Sequence, residues 1–289
     1  MSCKDNNYYK EIFQKYLEGY LLQYCDTPEP LKSAINYALL GGGKRIRPSL
    51  VLATADMLGG DVSDALPVAL ALEMIHTYSL VHDDLPCMDD DDMRRGRPTT
   101  HVVYGEDIAV ITGDALLTDA FSLIADSHLD ADIVKKVTSV LANRAGSRGM
   151  VGGQCADLAK SKIADEETIL YTYRHKTSDL IIASLVAGGI VARASSEVLD
   201  NLSQFGYYYG LAFQITDDLL EVNSTPELTG KSIGGGTEEE KTTYLSIFGV
   251  EKSTKKAREY VDKCMEIASA IPNSQFLVSL VEKVVGRMI

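Results

Sequence analysis

The chain has 289 residues, and 28 basic against 41 acidic side chains give a formal net charge of -13. This balance disfavours general affinity for nucleic acid or anionic membranes, since both reward a basic surface. With 45% apolar and 24% charged residues the chain can bury a substantial core, which excludes intrinsic disorder. The longest uncharged apolar run, Leu180 to Ala192, has thirteen residues, short of the ~18 that a membrane-spanning helix needs, so no stable membrane insertion is expected. The start, Met1-Ser2-Cys3-Lys4, lacks the pattern of a signal peptide. Five scattered cysteines, never in C-x-x-C, predict reduced thiols in a cytoplasmic protein rather than a disulfide frame or zinc site. The length would allow two domains, but no linker composition appears, so one domain over 1–289 is expected.

In chain order, Gly41-Gly42-Gly43-Lys44-Arg45-Ile46-Arg47-Pro48 comes first. It puts backbone N–H groups and basic side chains just before the apolar run Leu50 to Ala55, an anion trap at a helix start. It is not a Walker A loop, because that spacing is missing. In Ala65 to Leu80 the residues Val68, Leu72, Ile75 and Leu80 follow a helical period. No proline lies between Pro98 and Pro226, and this Ala- and Leu-rich stretch reads as mainly helical. Asp165 is a candidate N-cap for a helix over Glu166 to His175, and Ser253 for one over Lys255 to Ile271. The series Leu202, Phe205, Tyr209, Ala212, Ile215, Leu219 predicts another helix. Strand signals are poor, with no Asn-Gly or Asp-Gly hairpin between apolar runs. Long helices with apolar stripes must bury them against one another, so an all-α bundle is expected. The segment Asn223 to Thr237, with Pro226 and Gly234-Gly235-Gly236, is the most irregular; its length and its place after an acidic motif suggest a mobile lid.

The chemistry concentrates in two acidic motifs. The first is His82-Asp83-Asp84-Leu85-Pro86-Cys87-Met88-Asp89-Asp90-Asp91-Asp92, followed by Met93-Arg94-Arg95-Gly96. Pro86 prevents a regular helix, leaving Asp83 and Asp84 near a helix end and Asp89 to Asp92 beyond a turn. Crowded carboxylates repel one another unless something offsets the charge, and a hard cation such as Mg2+ bound with phosphate oxygens does so. The second motif, Gln214-Ile215-Thr216-Asp217-Asp218-Leu219-Leu220-Glu221, places Asp217 and Glu221 on one helix face. His76 lies two helical turns before Asp83 on the same face. With Arg94, Arg95, Lys176 and Lys231, the chain joins many carboxylates to many cations. Metal-bridged diphosphate chemistry is the reading that uses both. No G-x-S-x-G motif or nucleophilic triad is evident.

Together HDDLPCMDDDDMRRGRPTTH, GGGKRIRPSL, GGQCADL, YRHKTSDL and GLAFQITDDLLEV resemble the short-chain trans-isoprenyl diphosphate synthases, closest to the bacterial-type farnesyl group, from about Leu31 to Phe248. The resemblance implies a single polyprenyl synthetase domain, an all-α homodimer with helices around a deep cavity. It also implies condensation of isopentenyl diphosphate with dimethylallyl or geranyl diphosphate, using up to three Mg2+, for which Mn2+ is an expected substitute. Asp83, Asp84 and Asp89 would hold two ions, and Asp217, with Asp218 and Glu221, a third. Arg94, Lys176 and Lys231 would contact the allylic diphosphate. Gly43, Lys44, Arg47, His76 and Arg95 would hold the diphosphate of isopentenyl diphosphate. Thr177 and Gln214 would stabilise positive charge beside the allylic carbon. Tyr78, about 7.5 Å along the helix from Asp83, would stop the growing tail, and the smaller Ser79 would not.

This chain departs from that family's pattern in three places: Glu221 for the last Asp of the second motif, Gly234-Gly235-Gly236 for Gly-x-Asp, and Leu245 for a common Pro. Alternatives are a geranylgeranyl or geranyl product, or a catalytically silent partner subunit. A terpene cyclase would not need Lys44, Arg47 and His76 for a second diphosphate.

Overall fold

The computed structural model describes residues 4–23, 26–159, 165–223 and 242–287, without the side chains of 221–223. Lys231, Gly234 to Gly236 and the suggested lid lie outside the described residues, as does the side chain of Glu221.

Helix α1 (Asn6–Leu21) begins at Asp5, whose carboxylate accepts the Tyr8 N–H; Tyr9, Phe13, Leu17 and Leu21, four apart, form its buried stripe. After α2 (Leu31–Leu39) and α3 (Ile46–Met57) comes α4 (Val62–Asp83), capped by Asp61 on the Ser63 N–H. Leu70, Leu72, Met74 and Ile75 are fully buried on different sides of α4, which makes it a core helix. Next are α5 (Thr100–Tyr104), α6 (Glu106–Ala125), α7 (Ala131–Ala145) and α8 (Met150–Ala159). Then follow α9 (Glu166–Tyr173), a π-helical turn over Arg174–Ser178, α10 (Asp179–Val191) and α11 (Ser196–Asn223). Helices α12 (Tyr244–Ser269) and α13 (Gln275–Val285) close the chain. Helix α4 packs against α3, α6 and α10, and α10 packs in turn against α11, so the two acidic motifs are carried on helices flanking α10. The architecture is the expected all-α one.

Three local expectations need correction. Asp165 does cap α9, accepting the Thr168 N–H, but α9 ends at Tyr173 and the π-turn takes over before His175. Ser253 caps nothing. Thr243 starts α12 through a reciprocal pair of bonds with Ser246, and the break falls at Gly249, whose φ of 75° is cheap only for glycine. Ser253 lies beyond it, donating its hydroxyl to the Gly249 carbonyl. A two-stranded hairpin also pairs Met93–Arg94 with Arg97–Pro98. Its turn residues Arg95 and Gly96 both have positive φ, as a type I′ turn demands, so Arg-Gly does the work that Asn-Gly usually does.

Helix α6 is long and apolar enough to cross a membrane by length and composition, although no wholly uncharged run of that length exists. Asp114 and Asp119 lie within it, and its inner face packs on α4. Val110 and Ile111 of this helix are exposed, as are Val102 and Val103 of α5, which packs on α6.

Candidate active site

Asp83 is the last residue of α4 and Asp84 its cap. Beyond Pro86 the chain folds back, and the N–H groups of Asp89 and Asp91 donate to the carbonyls of Asp83 and Asp84. The return brings Asp89 over the helix end. Asp83 accepts from Gln154 Nε2 on α8 at 2.8 Å. Burial pushes its carboxyl up to about 6, with Asp89 and Asp84 adding to the rise and Lys176 and Arg94 opposing it. The hairpin turns Arg94 onto Asp84, with Nε at 2.7 and 2.9 Å from the two oxygens. Burial still raises the Asp84 carboxyl, though Arg94 pulls against it.

A second cluster is basic. Arg47, in the first turn of α3, has Nη1 3.3 Å from His76 Nε2 on α4, while its buried Nε has no partner. Burial lowers the Arg47 guanidinium to about 10, with Arg95 adding to the effect. His76 sits well below the usual imidazole range because of burial and then Arg47, Arg95 and Arg94, and is therefore neutral at pH 7. Arg95 donates to the Gly42 carbonyl at 2.6 Å. A Cβ on Gly43 would stand 2.5 Å from Arg95 Nη1, so the glycine permits the approach. Lys44 is exposed beside it. A half-buried arginine with an orphan N–H, next to a neutral imidazole and a second, exposed arginine, is built to receive an anion.

The third cluster hangs on the π-turn, which interrupts an otherwise continuous helix. Such bulges redirect side chains. Gly153 of α8 lets this turn approach closely, since a Cβ there would lie 2.3 Å from the Lys176 nitrogen. Lys176 Nζ donates to Asp157 of α8 at 2.6 Å. Thr177 donates its hydroxyl to Gln214 Oε1 at 3.0 Å, and Gln214 Nε2 donates to Asp218 at 3.2 Å. Tyr173 donates to the other oxygen of Asp218 at 2.5 Å. Asp218, expected among the metal ligands, therefore turns its carboxylate into the protein. Asp217, its neighbour, is partly exposed and paired with Arg287 at 2.8 Å.

Between these clusters lies a cavity of about 710 Å³, lined by Arg47, His76, Tyr78, Ser79, Asp83, Lys176 and Thr177 on the predicted side and by Met88, Met150, Val151 and Leu158 on the apolar side. That volume suits a small organic ligand with a polar head and a greasy body. A smaller hollow of about 50 Å³ lies behind Asp84, walled in part by Arg94, Arg95 and Thr77. Gln214, Asp217 and Asp84 do not line the main cavity. Sequence reading missed Gln154, Asp157, Tyr173 and Arg287, the partners that hold Asp83, Lys176, Asp218 and Asp217. The first three stand inside GGQCADL and YRHKTSDL, so the signal was their position in an informative motif; Arg287 carries no such signal.

Among the described residues no three His, Cys, Asp or Glu side chains converge to cage a metal unaided. A half-buried Asp83 with a raised pKa, beside further carboxylates, nonetheless fits a hard dication that takes its remaining oxygens from phosphate and water.

Residues 28–278 match the family described as polyprenyl synthetase. The chain is 43% identical to the geranylgeranyl diphosphate synthase of Cyanophora paradoxa, over 90% of this chain and 89% of that one. It is 41% identical to the farnesyl diphosphate synthase of Micrococcus luteus, over 93% and 94%. The solved geranyltransferase of Helicobacter pylori complexed with magnesium and isoprenyl diphosphate matches with a TM-score of 0.80 at 30% identity, over 96% of each chain. An all-α shell around a cavity with acidic and basic clusters thus has a class, and the chain belongs to the polyprenyl synthetase family. Within it, the chain is a trans-prenyl diphosphate synthase.

Proposed function

We propose that the protein condenses isopentenyl diphosphate with dimethylallyl and then geranyl diphosphate, releasing farnesyl diphosphate. The observation that carries the product length is Tyr78. It lies on α4 five residues before Asp83, is 6% exposed, lines the cavity and packs edge-to-face on His82. A tail whose head is anchored at Asp83 grows along this wall, and the ring ends its path. Geranylgeranyl diphosphate is the second reading, favoured by the 43% identity to a synthase of that name. Ser79 beside Tyr78 would not obstruct a longer tail.

Asp83, Asp84, Asp89 and Asp217 would hold Mg2+, which when bound draws electron density onto the allylic diphosphate and makes it a leaving group. Arg94 and Lys176 bind that diphosphate, and each is pre-aimed by a carboxylate, Asp84 or Asp157, that the substrate relieves. Lys44, Arg47 and Arg95 bind the diphosphate of isopentenyl diphosphate, with His76 as a neutral hydrogen-bonding partner. Thr177, which lines the cavity, donates its hydroxyl hydrogen bond to Gln214, so its oxygen lone pairs stay available for developing positive charge. Asp218 orients the Gln214 amide by accepting its N–H. The apolar wall excludes water from the cation. The double bond of isopentenyl diphosphate then attacks, and a proton leaves to the released diphosphate.

The free thiols Cys87, Cys155 and Cys264 support a reducing, cytoplasmic location. The exposed Val102, Val103, Val110 and Ile111 of the neighbouring helices α5 and α6 support a homodimer, since exposed apolar side chains favour association. Incubation of the pure protein with Mg2+, isopentenyl diphosphate and each allylic diphosphate, with products identified by mass spectrometry, tests the whole reading. A fifteen-carbon diphosphate is expected. A twenty-carbon main product overturns the length, and no condensation overturns the reaction.

A further inference from the structure

Behind the basic cluster lies a charged pair that the reaction does not touch. Glu73 of α4 is 3% exposed and Arg45 is 4% exposed. Arg45 donates through Nη1 to Glu73 Oε1 at 2.5 Å and through Nη2 to the Leu39 carbonyl at 2.5 Å, with its guanidinium over the Phe13 ring. Arg45 also has a φ of 48°, in the left-handed region, where a non-glycine residue is strained. Such a backbone persists only where surrounding contacts over-determine it, and here the inward ion pair does so. The consequence is local and directional. With Arg45 turned into the core at the start of α3, Lys44 stays exposed before it and Arg47 is left lining the cavity with an unpartnered Nε. Glu73 stands one helical turn before His76. Its charge also favours the cationic forms of Arg47 and Arg95, which repel each other.

We propose that Glu73, through its ion pair with Arg45, is a positioning residue for the second diphosphate site: it locks the left-handed turn that presents Lys44 and Arg47, and it holds the arginine cluster together before the anion arrives. The inference rests on reading Arg47, His76 and Arg95 as a diphosphate site.

The test uses the full-length chain as wild type, Glu73→Gln, and the double variant Arg45→Met with Glu73→Met. Replacing a buried ion pair by apolar side chains is often neutral for stability, so the double variant removes the device while keeping a filled core. The readouts are KM for isopentenyl diphosphate, KM for geranyl diphosphate, kcat, and calorimetric binding of inorganic diphosphate without metal, where side-chain cations alone hold the anion. Both variants are expected to raise KM for isopentenyl diphosphate and weaken inorganic diphosphate binding by about tenfold or more, with KM for geranyl diphosphate and kcat within about twofold. A folded variant with both constants for the second site unchanged overturns the proposal. So does an equal rise in both KM values, or failure of both variants to fold, which would leave the pair a folding element only. Failure of the underlying site reading looks different: wild type would not bind inorganic diphosphate, and Arg47→Met would leave KM for isopentenyl diphosphate unchanged.

Discussion

Burial, reinforced by Asp89 and Asp84, raises the Asp83 carboxyl from 3.8 to about 6 despite the nearby Lys176. In the unfolded chain the same group ionises near its ordinary value, so between about pH 4 and 6 the folded state keeps a proton that the unfolded state has lost. Stability therefore falls as pH climbs through that window, and the full cost persists above it. Roughly two pH units at about 1.36 kcal/mol each give about 3 kcal/mol, which we halve to about 1.5 kcal/mol because Asp83 is only partly buried and its charge is screened. Asp83→Asn removes the charge but keeps an oxygen for Gln154. The metal-free variant should melt about 3 °C above wild type at pH 8, and the gap should close by about pH 4. Turnover should fall at least ~10²-fold, as when a single transition-state interaction is lost. Adding Mg2+ with inorganic diphosphate should raise the melting temperature of wild type and much less that of the variant. The measurements are differential scanning calorimetry from pH 4 to 8 and a radiolabelled condensation assay. A variant less stable than wild type at pH 8, or one retaining more than about a tenth of the activity, would refute the reasoning.

Tyr78→Ala should shift the product towards geranylgeranyl diphosphate, read by mass spectrometry; unchanged product length would place the cavity floor elsewhere. Wild type should scatter light as a dimer at micromolar concentration. Ile111→Glu, which charges a residue 48% exposed on the outer face of α6, should give monomers of 31.5 kDa with an unchanged circular dichroism spectrum. A variant that remains dimeric would move the interface away from α6.

Some of this site is written locally. Pro86 cannot donate the N–H that would continue α4 and disfavours helical backbone just before it, so Asp83 and Asp84 fall near a helix terminus. A helical period of apolar residues commits Ala65 to Leu80 and Leu202 to Leu219 to buried helices. The basic run Lys44-Arg45-Ile46-Arg47 was visible as an anion trap, but not that Arg45 faces inward while Arg47 lines the cavity. That division follows from Glu73, 28 residues away, and from a backbone angle that no propensity foretells. Adjacent residues on a helix point roughly 100° apart, so of Asp217 and Asp218 only one can share a given environment. Packing decided that Asp218 meets Tyr173 and Gln214 while Asp217 meets Arg287, 70 residues on. Asp83 likewise depends on Gln154 and Lys176 on Asp157, both supplied by α8 through the close approach that Gly153 allows. Helix starts, stops and apolar faces follow from short-range sterics and solvation, which act within a few residues. The partner of a buried charge is whatever group the assembled core brings within ~3 Å, and only the folded chain contains that information.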